Sequence, residues 1–575
     1  DGNIISFDNS GAVVAVATGN DGQVLTSAGA GQPPAFETPA GGVTFKEGGT
    51  NFTNSLLVGT SSTGTLNSAD GNTGVGTGVL GALTTGDDNV AVGLNALDLN
   101  TTGSENTAVG NKAMQGNTSG AGNVAIGKCA LSENNASNNT AVGHSAMETN
   151  TSGTQNTAMG AYALDANTSA VENTAFGDNA LGATTTGSYN TAVGSCSLSS
   201  QVSGAIGNTA VGRYALRANT TGDYNVAMGY GALVANTTAT DNIAIGRNAM
   251  VANTTGAGNV AVGSFTLEAS TDTVRNTMIG MQAGGSLTGG ANGGDNVAVG
   301  FCALRFGTTA GSNSALGSCA LYANTTGDTN TAVGASSLKS NTTASGVTAV
   351  GYNSLNVNTT GINSVAVGAN ALGTNTTGAG NTAVGLAAGG VITTGSCNIG
   401  IGFRTTASAN NIAREYIIGT GDDGNSFQGA GANTIKIGSR QYSISNGWGS
   451  NANWSHASDR RYKKDVQKNN IGLDFINDLK TVTYKWKAQS ELDPSLDEYD
   501  SENTKATSDK TQHGLLAQEV KASMDKLGIT EDFAGWQEEA NHPNKKQAIS
   551  ESMFVIPLIK AVQELTKRIK VLESK

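Results

Sequence analysis

The carboxylates and thiols of residues 1–457 are among the side chains there that could hydrolyse a bond or bind a metal ion. Glycan hydrolysis needs two carboxylates about 5 to 10 Å apart on a groove. The repeats place no recurring Asp or Glu with aromatic platforms nearby, and Asp87, Asp223 and Asp328 lie in predicted turns. Asp422-Asp423 could bind a cation, although such a pair is more typical of a turn. No CxxC spacing indicates zinc among the cysteines, which are Cys129, Cys196, Cys302, Cys319 and Cys397. We therefore predict no metal site, no cofactor and no glycan-cleaving centre in this part.

A denser group of reactive side chains begins at Ser458, in the segment Ser458-Asp459-Arg460-Arg461-Tyr462-Lys463-Lys464. By residue type alone, Ser458-Asp459 is typical of a helix N-cap, and at least two of Arg460, Arg461 and Lys464 are more typical of an exposed basic run. Farther along, His513 stands beside an apolar stretch. A single histidine in that setting is more often structural, so we expect an assembly contact rather than a catalytic role.

The composition divides the chain near residue 457. The whole chain holds 80 glycines and only 5% aromatic and 13% charged residues, too few large side chains for several compact cores. From Ser458 onward, by contrast, lie 19 of the 32 Lys and Arg and 20 of the 44 Asp and Glu. The net charge of −12 argues against nucleic-acid binding. No apolar run approaches the roughly 20 residues of a membrane helix, so we expect no membrane insertion.

A repeat of 17 residues fills the middle of the chain, and the string Asn-x-Ala-Val-Gly recurs in it. One interval is 16 residues, one is 18 and one is 20. Ala-Leu or Ala-Met follows the glycine, and Asn-Thr-Thr-Gly often closes the unit. The repeat glycines are Gly76, Gly93, Gly110, Gly127, Gly143, Gly160, Gly177, Gly194, Gly212, Gly229, Gly246, Gly263, Gly280, Gly300, Gly317, Gly334, Gly351, Gly368, Gly385 and Gly402.

Each unit predicts two short strands and two turns, stacked as one coil of a solenoid. Alternation in a strand sends Val226 and Met228 to one face and Ala227 to the other. We expect the Val, Ile and Met positions, with the later Leu and Met, to form ladders inside the solenoid. The small alanine would then face a neighbouring chain. Stacked at about 4.8 Å per coil, the repeats would make a rod on the order of 100 Å long.

The pattern Asn-x-Ala-Val/Ile-Gly-x-x-Ala/Ser resembles the head repeats of trimeric autotransporter adhesins and similar repeats of phage tail fibres. The resemblance covers residues 72–402 and implies a trimeric parallel β-roll, left-handed in those adhesins. Residues 1–71 are then an amino-terminal linker or attachment segment, and an upstream signal or attachment segment could precede Asp1. Residues 403–457 predict a β-rich cap, with strands around Ile417-Ile418 and Ile435–Ile437 and with Trp448 and Trp454 covering the open end.

Residues 458–575 resemble the intramolecular chaperone of phage endosialidases, a self-cleaving serine peptidase family. The resemblance is carried by the Ser-Asp-x-Arg-x-Lys opening, by Val482-Thr483-Tyr484-Lys485-Trp486 and by His513-Gly514-Leu515-Leu516-Ala517-Gln518-Glu519-Val520. It implies a Ser–Lys dyad that acts once, with Ser458 as nucleophile, Lys463 as general base and cleavage between Ala457 and Ser458. The fold class is therefore an all-β repetitive fibre followed by a small α+β chaperone domain.

The last residues, about 553–575, predict a coiled-coil helix independently of that resemblance. Apolar residues spaced alternately by three and four form an a/d seam of Val555, Leu558, Val562, Leu565, Ile569 and Leu572. Pro557 lies near the helix start, where the first turn tolerates it. Three strands is the number that the resemblance implies, because the seam alone does not fix it.

These observations favour a structural, receptor-binding tail fibre of a bacteriophage virion, assembled in the bacterial cytoplasm as a homotrimer. Its expected partners are a polysaccharide or protein receptor on the host and other tail proteins of the virion. A bacterial trimeric adhesin is the alternative, although no outer-membrane anchor strands end the chain. A glycan-depolymerising tailspike is a further alternative, which the placement of the carboxylates disfavours.

Overall fold

A computed structural model describes most of the chain between residues 51 and 575. The described ranges are 51–59, 64–288, 293–422, 424–440, 443–447, 466–494, 501–502, 504, 510–529, 533–538 and 547–575, together with the backbone of six strands outside them. The chain divides into two compact units, Asp1–Ala457 and Ser458–Lys575. Each unit has its own hydrophobic core, and the two are described separately.

Short strands precede the repeat. Two antiparallel pairs, β1 with β2 and β3 with β4, are followed by a third pair, β5 with β6. β6 also pairs in parallel with the first strand of the repeat and so begins the long sheet. The bounds are β1 (Ile5–Phe7), β2 (Val13–Ala15), β3 (Val24–Thr26), β4 (Ala35–Glu37), β5 (Phe45–Gly49) and β6 (Phe52–Val58).

The repeat forms a parallel β-solenoid in which every coil contributes one strand of three residues to a single sheet. Each strand pairs with the next in the same register, as Val226↔Ile243 and Met228↔Ile245 do. The predicted solenoid is therefore confirmed, with one strand per coil instead of two. Its strands are β7 (Thr73–Val75), β8 (Val90–Val92), β9 (Thr107–Val109), β10 (Val124–Ile126), β11 (Thr140–Val142), β12 (Thr157–Met159), β13 (Thr174–Phe176), β14 (Thr191–Val193), β15 (Thr209–Val211), β16 (Val226–Met228), β17 (Ile243–Ile245), β18 (Val260–Val262), β19 (Thr277–Ile279), β20 (Val297–Val299), β21 (Ser314–Leu316), β22 (Thr331–Val333), β23 (Thr348–Val350), β24 (Val365–Val367), β25 (Thr382–Val384) and β26 (Ile399–Ile401).

The strand faces are the reverse of the expected ones. Ala227 is completely buried inside the coil together with Ala232 and Leu233, whereas Met228 is 41% exposed and Val226 is half-buried. The expectation that alanine faces a neighbouring chain is therefore wrong. A coil of 17 residues encloses a narrow interior, which one Leu or Met and two alanines fill at close-packed density. The larger strand residues consequently point outward.

Two ladders of buried asparagines run along the solenoid beside the alanines. In the first, Asn242 Oδ1 accepts the backbone N–H of Asn259 at 3.0 Å and its amide at 3.1 Å. In the second, Asn253 donates its amide to Asn236 Oδ1 at 3.2 Å. The asparagines that the sequence places at corners thus satisfy buried backbone groups of the adjacent coil, which would otherwise lower stability.

The repeat glycines permit the close approach of successive coils. Gly160 has a φ of 142°, and a Cβ atom added there would lie 2.3 Å from the carbonyl oxygen of Gly177. Both the left-handed backbone and the lack of space exclude any other residue. The sequence pattern of glycine at 17-residue spacing therefore reports a backbone-to-backbone contact between coils.

After the repeat, the sheet continues through β28 (Glu415–Thr420) and β30 (Thr434–Ser439), in agreement with the strands predicted there. β31 (Ser443–Gly447) and β32 (Ser455–His456) then pair antiparallel, while β27 (Thr405–Thr406) and β29 (Phe427–Gln428) form a separate pair. Glu415 replaces the ladder asparagine, and its buried carboxylate accepts the N–H groups of Ser408 and Gly431. Trp448 and Trp454, expected to cap the rod, lie outside the described residues.

The second unit is a small α+β module. Its elements are α1 (Leu473–Asp478), β33 (Val482–Tyr484), β34 (Gln512–Gly514), α2 (Ala517–Lys526), β35 (Trp536–Glu538), β36 (Gln547–Ile549) and α3 (Val555–Glu573). β33 pairs with β34 and β35 with β36, both antiparallel. The core is Phe475, Val520, Met524, Trp536 and Phe554. Of the helices described, none has the length and apolar character needed to cross a bilayer.

Candidate functional site

The residues implied for self-cleavage, Ala457, Ser458 and Lys463, lie outside the described residues. The description of this unit begins at Val466, which is exposed. The dyad and the cleavage site therefore remain predictions. The functional surfaces that can be described are the terminal helix, a groove beside it and the outer face of the solenoid.

The terminal helix α3 has one face that packs within its own module. Pro557 and Ala561 are buried on that face, which lies against α1. The Glu564 carboxylate accepts the backbone N–H of Leu473, at the start of α1, at 3.0 Å. This N–H donor, together with the Lys560 ammonium, holds the pKa of the Glu564 carboxyl below its usual value of 4.5. One face of α3 is thus fixed to the module.

The other face of α3 carries the predicted seam, and it is open to solvent in a single chain. Helix formation at these residues confirms the helical prediction. Each of the six seam residues is about half exposed or more: Val555 51%, Leu558 50%, Val562 55%, Leu565 47%, Ile569 46% and Leu572 70%. An apolar stripe of this length is typical of a surface that other helices cover.

A groove of about 710 Å³ lies beside α1 and the pair β33–β34. Its apolar lining includes Ile476, Val482 and Phe554, and its polar lining includes His513 and Glu551. His513 is exposed and pairs across the sheet with Thr483. An assembly contact of His513 stays a prediction.

The outer face of the solenoid sheet carries a second apolar surface, here called the apolar column. It consists of the last residue of each repeat strand, and every member is apolar although each is half-buried or exposed. Phe176 is 52% and Leu316 is 51% exposed. The members are Val75, Val92, Val109, Ile126, Val142, Met159, Phe176, Val193, Val211, Met228, Ile245, Val262, Ile279, Val299, Leu316, Val333, Val350, Val367, Val384 and Ile401.

Sequence reasoning missed this surface because it assigned the two strand faces the wrong way round. The signal that could have found it is the size of the alternate residue. Alanine recurs inside because space is limited there, while outside the side-chain volume ranges freely from Val to Phe. The positions of the apolar column are thus always apolar, but their side-chain volume is not fixed.

The carboxylates of the repeat have structural partners. Asp87, Asp223 and Asp328 each accept a backbone N–H from the preceding coil, at 2.8 Å in all three cases. All three lie in the irregular segment that precedes a strand, and their hydrogen bonds join adjacent coils. Asp422 forms an isolated bridge with Asn425, as expected of a turn, and its neighbour Asp423 lies outside the described residues.

Comparison with known protein families gives one match. Residues 458–529 match the family model described as chaperone of endosialidase. No curated protein matches the chain. The family is associated with phages and implies trimeric assembly in general. A long β-solenoid followed by this module fits a tail-fibre or tailspike type of phage protein with an endosialidase-type chaperone at its carboxy end.

Proposed function

We propose that the chain is a homotrimeric, receptor-binding phage tail fibre whose carboxy-terminal module aligns three copies and then cuts itself away. The observation that carries the proposal is the exposed seam of α3, directly downstream of the region that matches the endosialidase chaperone family. Two further copies of α3 would cover that seam. The face of α3 that adjoins the seam, with Pro557 and Ala561, is already fixed within its own module, and the seam beside it is exposed.

The solenoid supplies the reason for such a module. Successive coils pair in the same register and carry the same residue types, so a slip of one coil between neighbouring chains would change few contacts. The contacts of the rod therefore cannot select the correct alignment. Three chains joined at their carboxy ends would begin in register, and the apolar columns would then close against one another along the rod.

Self-cleavage would proceed as a single acyl transfer. The Oγ atom of Ser458 bonds to the carbonyl carbon of Ala457, while neutral Lys463 takes the hydroxyl proton and passes it to the departing amide nitrogen. Water then hydrolyses the resulting ester, which leaves a carboxylate on Ala457 and restores the hydroxyl. A lysine with an ordinary pKa near 10.4 is protonated at neutral pH, so Lys463 must be desolvated or placed near another cation. Burial between subunits would restrict cleavage to the assembled trimer.

The mass of the purified chain tests this proposal. The parent should yield two fragments, one ending at Ala457 and one beginning at Ser458, on a denaturing gel and in intact-mass measurements. The variants Ser458→Ala and Lys463→Ala should stay whole. Lys468→Ala, which removes an exposed lysine nearby, should cleave like the parent. Cleavage of Ser458→Ala at this bond would refute the dyad.

The seam is tested on the uncleaved Ser458→Ala background. Leu565→Asp places a charge in the centre of the seam, where burial in a trimer would be costly, and it should prevent trimer formation. Lys567→Asp, at an exposed position of the same helix, is the matched control and should leave trimers intact. Light scattering coupled to size exclusion gives the mass. A full-mass trimer of the Leu565→Asp chain would show that the seam is not the contact.

A further inference from the structure

One small region of the rod combines positive charge with aromatic rings, although residues 1–457 as a whole are acidic. They contain 13 Lys and Arg against 24 Asp and Glu. Three of those cations, Arg213, Arg217 and Arg247, lie within three successive coils. They are joined there by Tyr214 and Tyr230, and these five residues are called the arginine patch.

The members of the arginine patch contact one another across coils. The guanidinium carbons of Arg213 and Arg217 lie 4.4 Å and 5.2 Å from the ring centre of Tyr214. The ring of Tyr214 meets that of Tyr230, from the next coil, edge to face at 5.9 Å. In the coil after that, Arg247 lies over the ring of Phe265 at 4.4 Å. Arg213, Arg217, Tyr214 and Tyr230 thus form one cluster across two coils, and Arg247 lies in the next coil.

Backbone hydrogen bonds place the patch in a column parallel to that axis. Gly231 N–H donates to Arg213 O at 3.1 Å, and Asn248 N–H donates to Tyr230 O at 2.9 Å. Arg213, Tyr230 and Arg247 each follow a repeat glycine directly, so they recur at the coil spacing of about 4.8 Å. The positions of two arginines therefore flank the position of one tyrosine along this line.

The guanidinium groups of the patch are available to a ligand. Among the residues that the structure describes, no carboxylate pairs with Arg213, Arg217 or Arg247, and all three side chains are exposed. Tyr230 is 51% exposed. By contrast, Arg275 at another corner of the coil is held by Asp295, with Nε 2.7 Å from Oδ1. The acidic groups of these coils, Asp223 and Asp241, precede the strand, whereas the patch follows it.

Stacking of the coils does not require these residues. The position after the repeat glycine varies widely in type, as Leu94, Asn111, Lys128, His144, Ala161, Asp178, Ser195, Arg213, Tyr230, Arg247 and Ser264 show. The apolar column, directly before the glycine, is apolar in every coil. A position that tolerates Asp in one coil and Arg in another is not part of a regular chain-to-chain contact. The arginine patch is therefore a local feature of the outer surface.

We propose that the arginine patch binds an anionic polysaccharide, and this inference rests on the proposed role of the rod in host attachment. Guanidinium groups recognise carboxylate and sulfate groups with paired hydrogen bonds. An aromatic ring between them offers an apolar platform to the C–H face of a sugar ring. Because the groups follow one line, the polymer lies along the rod and contacts successive coils with successive acidic sugars.

Binding of the full-length chain to matched polymers tests the inference. The two anionic probes are polygalacturonate and dextran sulfate, and their neutral counterparts are the methyl ester of polygalacturonate and plain dextran. Binding is measured by biolayer interferometry at two salt concentrations. The chain should bind at least one anionic polymer and neither neutral one, and added salt should weaken the binding. Preference for polygalacturonate over dextran sulfate, or the reverse, identifies the acidic group. Binding to neither anionic polymer, or equally to a neutral one, overturns the inference.

Variants separate the patch from general electrostatics. The double variant Arg213→Gln/Arg247→Gln should weaken binding at least about tenfold. The control double variant Arg275→Gln/Lys112→Gln removes the same charge elsewhere and should change the affinity little. Tyr230→Ala should weaken binding several-fold. Tyr352→Ala is its control, because Tyr352 follows its repeat glycine directly, as Tyr230 does, in a distant coil and is 59% exposed. Equal losses in the patch variants and their controls would overturn the inference.

The same preparations distinguish failure of this inference from failure of the proposed function. Each is checked for cleavage after Ala457 and for trimer mass before binding is measured. A cleaved trimer that binds no anionic polymer refutes the arginine patch as a binding site and leaves the fibre proposal intact. A chain that neither cleaves nor trimerises contradicts the fibre proposal itself, whatever it binds.

Discussion

Replacing one asparagine of the first ladder tests whether buried side-chain hydrogen bonds hold successive coils together. Asn242→Val removes the amide that donates to Asn225 Oδ1 at 3.2 Å and to Gly256 O at 2.9 Å. It also removes the oxygen that accepts the backbone N–H and the amide of Asn259. Valine fills a similar volume, so the substitution deletes polar contacts without opening a large cavity.

The magnitude follows from which groups lose their only partner. Asn225 Oδ1 still accepts the backbone N–H of residue 242, and Gly256 O still accepts the amide of Asn253. The Asn259 amide still donates to a backbone carbonyl at 2.7 Å. Only the buried N–H of Asn259 is left without an acceptor. One such orphan costs about 1–3 kcal/mol, so we expect local opening of this coil to become easier by about 2 kcal/mol.

Hydrogen exchange followed by mass spectrometry measures that opening in the assembled fibre. Peptides containing Asn259 should exchange about 30-fold faster in Asn242→Val than in the parent. Thr238→Val, which changes an exposed threonine of the neighbouring turn, should leave exchange unaltered. Unchanged protection at Asn259 in the Asn242→Val fibre would refute the view that the ladder contributes to coil stacking.

Three further predictions concern stability. The ladder is interrupted at Val347, which offers no acceptor to the backbone N–H of Ser364. Val347→Asn should therefore slow hydrogen exchange of the Ser364 amide. An unchanged exchange rate would count against a stabilising role of the ladder. Gly160→Ala should prevent soluble fibre formation, because its Cβ would lie 2.3 Å from a backbone oxygen of the next coil; a normal yield of fibre would contradict the backbone contact. Glu564 binds Leu473 N–H as a carboxylate with a lowered pKa, so its contribution to stability is full above its usual 4.5 and disappears as the pH falls through the lowered value. Glu564→Gln should therefore destabilise the module at pH 7, and the deficit should shrink as the pH is lowered below 4.5, as measured by tryptophan fluorescence. A deficit that does not change with pH would contradict this assignment.

The sequence predicts the solenoid well because its information repeats. A glycine, an asparagine and an alanine recur at 17-residue spacing in most coils because each makes the same contact there, as Gly160, Asn242 and Ala227 illustrate. The direction of the strand faces could not be predicted in the same way. Alternation separates Ala227 from Met228 but does not state which of them lies inside, and the answer depends on the width of the closed coil.

The carboxy-terminal module shows a different limit. The spacing of Val555 to Leu572 predicts both the helix and its open face, because an a/d seam depends only on helical periodicity. The face that packs within the module, with Ala561 against α1 and Glu564 on the N–H of Leu473, depends on contacts between distant residues. Such contacts leave no local pattern in a single sequence.

The account depends most on the claim that the carboxy-terminal module aligns the chains. The direct test compares the full-length chain with a chain that ends at Ala457, by mass photometry and by resistance to protease. The account predicts soluble, resistant trimers from the full-length chain and only aggregates or unassembled chains from the shorter one. Soluble, resistant trimers of the chain ending at Ala457, with all three ends in register, would contradict it.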